Sequence, residues 1–304
     1  MIEKRTLFVL GAGSSAGYGL PLGTELLDRV IHTLKTRNSL KIGATSEVAP
    51  IRALGRRLER SRCPTIDSFL RHVHNRDDYL AAIGDVIWKD ETEAITNHGI
   101  AKNSNEDWIS WLYHNRLHQN PSQFAKNPVA FISFNYDRLP QALMATMMRN
   151  IFSCSPKEAV DAVTSKVDQL DRFHHIHGSL DLHLVKLGGT DEYDLGVVGS
   201  PYEANFPDDR FAANLQTMYD PNDQATKLKE YFKWAECVIF LGLGFHQEML
   251  DLFMEAEAPI HGHRRMGTAV GISEQLRDQI ERSFRDIFLA GDKTTCKALL
   301  VNQL

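Results

Sequence analysis

The sequence predicts an α/β fold: a Rossmann-like, mostly parallel sheet with helices on both faces and a helical insertion after the first strand. Three observations carry this. Leu7–Leu10, Val129–Phe134 and Val238–Leu241 are near-continuous apolar runs, as strands covered on both faces must be. Each stops at glycines or short polar side chains, where an open parallel sheet binds its ligands. Between the runs lie segments with apolar residues at helical spacing, the form that parallel crossovers take.

The first run opens the stretch TLFVLGAGSSAGYGLPLG, Thr6 to Gly23. Gly11, Gly13, Gly17 and Gly19 allow a tight turn and a close approach of backbone N–H groups to a phosphate, and Ser14 and Ser15 add hydroxyls. Beyond Pro21, Leu26, Leu27, Val30, Ile31 and Leu34 mark a helix over Thr24–Leu34. The spacing is GxGxxxG, whereas the dinucleotide fingerprint is GxGxxG with an acidic residue about 20 residues on. TLKTRNSLKIG supplies neither that second strand nor its acid. A glycine turn that only packs strand against helix is the plain alternative.

Residues 39–127 read as a helical insertion, and 1–38 with 128–304 as the Rossmann-like core. TIDSFLRHVHNRDDYLAAIGDVIWKD carries Ile66, Phe69, Leu70, Val73, Tyr79, Leu80, Ile83 and Ile87 near one helical face, with Thr65 or Asp67 as its cap. DWISWLYHNRL reads as a second, short helix. The sheet resumes in PVAFISFNYD. Asn135 and Asp137 stand at the end of that strand, two apart and therefore on one side, beside the glycine loop. Asn and Asp at a strand end also serve as caps, here for a helix holding Leu139, Leu143, Met144 and Met147.

Ser155–Leu170 reads as a helix, and FHHIHGSLD as a third strand end. Alternation puts His175 and His177 on one face and His174 on the other, and no carboxylate or HExxH spacing accompanies them, so a metal site is not expected. His177, before Gly178 and Ser179, is the histidine exposed at the turn. YDLGVVGSPY reads as a strand and loop over the site, and Asn205–Asp223 as irregular. Gly242 and Gly244 form a second glycine loop, followed by a helix with Met249, Leu250, Leu252 and Phe253. GTAVGIS reads as an edge strand, SEQLRDQIERSFRDIF as a helix with Leu276, Ile280 and Phe284 inward, and His261 and His263 as parts of a polar loop.

Composition narrows the function. With 34 basic and 39 acidic residues, the net charge of −5 gives no footprint for a phosphate backbone, so direct nucleic-acid binding is not expected. No run approaches the roughly 18 apolar residues of a membrane span, and the first apolar stretch is too short for a signal peptide. The expectation is a cytoplasmic protein without membrane contact. Cys63, Cys154, Cys237 and Cys296 form no CxxC pair, which argues for free thiols and against structural zinc.

GAGSSAGYGLP, FNYD, IHGSL and FLGLGF, in that order, resemble the Sir2 family across about Leu7 to Phe253. The resemblance implies NAD bound by Gly11, Ala12, Gly13, Ser14, Ser15 and Pro21, with Gly242 and Gly244 on the adenosine side. It implies that Asn135 and Asp137 reach the nicotinamide ribose and that His177 is the catalytic histidine. The two Cys pairs of the deacylating sirtuins' zinc module are missing, and LPLGTELL replaces the acidic, aromatic and Arg residues that follow the proline in them. The chain looks more like zinc-free bacterial Sir2-like proteins of antiphage defence, with which it also shares the helical PTIDSFL segment. Those enzymes degrade NAD to nicotinamide and ADP-ribose, alone or with a partner such as a HerA-type ATPase. The implied activity is therefore NAD glycohydrolysis without a metal, controlled by homo-oligomer formation or by a partner. An NAD-dependent deacylase and a non-catalytic NAD or ADP-ribose sensor are the alternatives.

Overall fold

The computed structural model describes residues 1–36, 48–74, 76–96, 101, 103–179, 185–186, 193–194, 215, 224–258 and 264–304. Its strands are β1 (Thr6–Leu10), β2 (Val129–Ser133), β3 (Phe173–His175), β4 (Val185–Lys186), β5 (Tyr193–Asp194), β6 (Cys237–Leu241), β7 (Arg264–Gly267) and β8 (Ile287–Leu289). Six of them make one parallel sheet in the order β3-β2-β1-β6-β7-β8, and β4 pairs with β5 in a separate antiparallel ribbon. Counted within the sheet alone, that is the strand order of the dinucleotide-binding folds. The α/β, Rossmann-like expectation holds.

Burial explains the sheet. All five residues of β1, β2 and β6 are buried, so no polar face interrupts their sequence. Alternate side chains feed two layers: Phe8, Leu10, Phe131 and Ile239 pack on one face, Leu7, Val9, Ile132 and Phe240 on the other. Phe8, Phe131 and Phe173 stack across three neighbouring strands, with ring centroids 5.0 and 4.4 Å apart. Because β1 lies between β2 and β6, the chain leaves it towards one edge first and the other later. Open parallel sheets that bind ligands do so in the crevice at such a reversal.

A third apolar cluster lies outside the sheet. Leu26, Val30 and Leu34 of the helix Gly23–Thr36 meet Ile51 and Leu58 of Val48–Ser61 and Tyr79, Ile83 and Ile87 of Asp77–Thr96. The helix Trp108–Arg116, capped by the Asp107 side chain, instead packs into the cluster on a sheet face through Trp108, Ile109 and Leu112. Among the described residues no helix is long and apolar enough to cross a membrane.

Three element boundaries differ from the sequence reading. The helix expected through Ile66–Ile87 is two helices, Ile66–Leu70 and Asp77–Thr96. Thr65 and Ser68 close a capping box on the first, while Asp77 and Asp78 supply the negative charge that favours a fresh helix start. The helix expected to reach Leu170 stops at Val163. A turn there is closed by reciprocal Val167 and Leu170 backbone bonds, with Asp168 at φ 43°. GTAVGIS is not the edge strand: β7 ends at Gly267 and is interior, and the edge is β8, which begins in the last two residues of the stretch read as helix. Most of YDLGVVGSPY and of Asn205–Asp223, with His261 and His263, lies outside the described residues.

Candidate functional site

The two glycine loops meet at the sheet's reversal. Gly13 donates to the Gly242 carbonyl at 2.9 Å and Gly11 to Leu241 at 3.0 Å, so the turn after β1 is bonded to the turn after β6. Gly242 has φ 61°, and a Cβ there would lie 2.0 Å from the Ser14 nitrogen. The glycines are therefore required first by this close backbone crossing. Three of the amides expected to meet a pyrophosphate, those of Gly11, Gly13 and Ser14, donate to carbonyls of the chain itself. Ala12, Gly13 and Gly242 are nevertheless half-buried and Gly244 is exposed, with the His246 ring lying over the Gly244 Cα. Pro21 is buried beyond the turn.

Asn135 reaches this turn from β2. Its Nδ2 lies 3.1 Å from the Gly11 carbonyl and 3.4 Å from the hydroxyls of both Ser14 and Ser15. Asp137 shares the same side, as the two-residue spacing predicts: its Oδ1 accepts from Ser15 Oγ at 3.0 Å. That oxygen also accepts from the Leu139 amide at 3.2 Å, so the helix-start role weighed for Asp137 and the loop-facing role coexist in one side chain. Tyr136 points the other way, and its hydroxyl meets Asp67 at 3.1 Å, tying the strand end to the helical segment.

Burial dominates the electrostatics here. Desolvation, reinforced by the charge of Glu91, pushes the Asp137 carboxyl from its ordinary 3.8 up to about 7, against hydrogen bonds from Leu139, Ser15 and Asn135. The fold thus favours the neutral acid. Stability from this group is complete below the unfolded-chain value of 3.8 and is lost as pH rises through about 7. Asp137→Asn should match wild type near pH 4 and exceed it above pH 7, by a few kcal/mol at most. Urea denaturation across that range measures the gap, and a gap that stays constant with pH contradicts the assignment.

The three histidines separate. His174 stacks on Tyr231 with centroids 5.7 Å apart. His177, buried at 4% exposure, lies against Phe134 and Tyr136, with ring centroids 5.9 and 5.6 Å away. His175 reaches the backbone of Asn135, with Nδ1 3.1 Å from its carbonyl oxygen. β3 ends at His175, Ile176 still bonds to Ser133 and packs in the cluster that holds Tyr231, and the chain turns at Gly178, φ 68°. His177 remains at a strand end neighbouring that of Asn135, with its ring between Phe134 and Tyr136.

Several residues around the site were not marked in the sequence. Trp108 donates its indole N–H to the Ser14 carbonyl at 2.8 Å, and Tyr18 bridges Asp107 and the Ile109 amide, so the helix Trp108–Arg116 braces the glycine turn. Arg138, next to Asp137, is buried in an ion pair with Glu91. Gln141 contacts His175. The aromatic run DWISW adjoining a polar cap was the one available signal for the Trp108 contact; the other partners lie too far apart in sequence to be paired by pattern. No group of His, Cys, Asp and Glu suited to a metal occurs among the described residues.

Comparison with protein-family models gives no match, and comparison with curated proteins gives none either.

Proposed function

We propose that the chain is a Sir2-like NAD hydrolase that cleaves the bond between nicotinamide and ribose C1′, releasing nicotinamide and ADP-ribose. The observation that carries this reading is the bond from Asn135 Nδ2 to the Gly11 carbonyl, 3.1 Å across the sheet's reversal, with Asp137 gripping Ser15 beside it. An amide and a carboxyl are thereby held at the place where this strand order accepts a dinucleotide. The partly accessible backbone of Ala12, Gly13 and Gly242 would let a pyrophosphate lie close to it.

The chemistry asks little of a general acid, since nicotinamide leaves as a neutral molecule from a cationic ring. The barrier lies in positive charge developing on the ribose, which a site meets by holding the sugar and excluding bulk water. With Nδ2 committed to the glycine turn, the Asn135 Oδ1 is the atom of that amide suited to accept from the attacking water or a ribose hydroxyl. Asp137, whose carboxyl burial pushes well above the ordinary range, orients Ser15 and Asn135 through their hydrogen bonds. His177, whose ring lies against Phe134 and Tyr136, would serve as base or ribose-hydroxyl partner.

Asn135→Ala should lower nicotinamide release from NAD alone by about 10²-fold or more, measured on protein still folded at the assay temperature, since removing the buried amide also costs about 1–3 kcal/mol of stability. His177→Ala should do the same. Near-normal turnover in both would refute the reading. A second reading, a non-catalytic module that binds NAD or ADP-ribose, draws on the internal use of the Gly11, Gly13 and Ser14 amides. Tight NAD binding in calorimetry with no nicotinamide released, with or without candidate partners, favours it. As a hydrolase of a shared metabolite the protein would need restraint, by homo-oligomer formation or by a HerA-type ATPase, in keeping with a role in antiphage defence.

A further inference from the structure

We infer that His175 and Gln141 form a positioning relay that holds the main chain of Asn135, and with it the reactive amide, in one orientation. The inference deepens the hydrolase reading and rests on it for its catalytic consequence. His175 closes β3, and Gln141 lies in the first turn of the helix Leu139–Phe152. The imidazole bridges them: Nδ1 is 3.1 Å from the Asn135 carbonyl oxygen and Nε2 is 2.7 Å from Gln141 Nε2. A carbonyl only accepts and an amide NH2 only donates, so Nδ1 carries the proton and Nε2 presents its lone pair. Both ring nitrogens are committed, and the neutral Nδ1–H tautomer alone satisfies both partners.

The relay completes a full enclosure of Asn135. Its N–H donates to Ser133 Oγ at 3.1 Å, its C=O accepts from His175, and its side chain donates to Gly11 at 3.1 Å. With the backbone N–H, the carbonyl and Nδ2 all engaged and Oδ1 left to face the sugar, the side-chain torsions have little freedom, which is the preorganisation that a sugar-holding amide needs. The groups facing the ring support its neutral state: burial, with smaller contributions from His174, Arg138 and His177, brings the His175 pKa down to about 4 against the hydrogen bond with Asn135. Protonation would set an N–H of the ring against an N–H of Gln141. His175 is thus a positioning residue, acting through Asn135.

The substitution series separates the donor from the bulk. In His175→Asn the amide NH2 stands near the place of Nδ1, whereas His175→Phe keeps a ring without a donor. The relay predicts kcat within about 3-fold of wild type for His175→Asn and about 10- to 10²-fold lower for His175→Phe, with KM for NAD little changed in either. Equal activity in both variants, whether high or low, overturns it. Nitrogen-15 spectra of the wild-type chain test it without substitution: a neutral imidazole protonated on Nδ1 supports the relay, and an imidazolium or the opposite tautomer near neutral pH overturns it. If wild type releases no nicotinamide, the hydrolase reading fails alone. The relay is then judged by the Asn135 side-chain amide signals, which should stay in place in His175→Asn and move in His175→Phe; equal movement in both counts against it.

Discussion

Gly242→Ala should yield little folded protein, the largest loss expected from removing any single glycine of the seam. A Cβ at this position would stand 2.0 Å from the Ser14 nitrogen and 2.2 Å from the Gly13 carbonyl carbon, both backbone atoms that no rotamer change can move. The turn after β6 would have to retreat, breaking the bonds from Gly13 to Gly242 and from Gly11 to Leu241. Each such bond contributes about 1 kcal/mol net, and the φ of 61° adds about 1–2 kcal/mol for a residue with a Cβ. With the overlap itself the loss should exceed about 4 kcal/mol, a large share of the 5–15 kcal/mol that stabilise a typical domain. Gly271→Ala is the control: its φ is 72°, but a Cβ there meets open space, so only the conformational cost applies. Chemical denaturation of the two variants compares them directly, and equal losses would mean that the seam yields without cost.

The parts of the fold legible in the sequence are those whose burial leaves no polar face. β1, β2 and β6 could be read because every residue in them is covered. β7 could not, because it begins Arg264–Arg265 and a buried guanidinium breaks the apolar signal. The structure accommodates Arg265 at 4% exposure, with one nitrogen 2.9 Å from the Arg285 carbonyl. β8 was hidden in a helical pattern that Phe284 and Ile287 continue past the true helix end at Ser283. Both residues are buried, but the chain has already turned at Asp286, φ 63°.

The site shows the same division. Asn135 and Asp137 could be placed on one side, next to the glycine turn, because strand alternation and the rule for parallel sheets act locally. What the sequence could not show is that the His175 ring engages the Asn135 main chain and Gln141, because those partners lie 40 and 34 positions away. The dual service of the glycines was likewise invisible. Gly11 and Gly242 are 231 positions apart, and only their contact shows that the absence of side chains serves a backbone crossing as well as any ligand.

Glu91→Ala should cost about 3–5 kcal/mol, because it strips a buried guanidinium of the carboxylate it grips. Arg138 and Glu91 have side-chain exposures of 1% and 0%, and the contact is multiple: Arg138 Nε lies 3.1 Å from Oε2, NH2 lies 2.5 Å from the same oxygen, and the Arg138 amide donates to Oε1 at 2.6 Å. The pair joins the helix Asp77–Thr96 to the strand end that carries Asn135 and Asp137, so its loss should be felt at the site as well as in stability. Removing the Glu91 charge also removes one of the influences that raise the Asp137 carboxyl. The pH range over which Asp137→Asn differs from its parent should therefore move lower in a Glu91→Gln background. Replacing both partners by apolar groups, as in Glu91→Leu with Arg138→Met, should recover much of the stability lost in Glu91→Ala, since a buried pair owes most of its apparent strength to the cost of stranding one member. A double-mutant cycle read by urea denaturation measures this. A Glu91→Ala loss below about 1 kcal/mol would show instead that the carboxylate is dispensable to Arg138, and that the helical layer and the strand end are held together by the Tyr136–Asp67 contact and apolar packing.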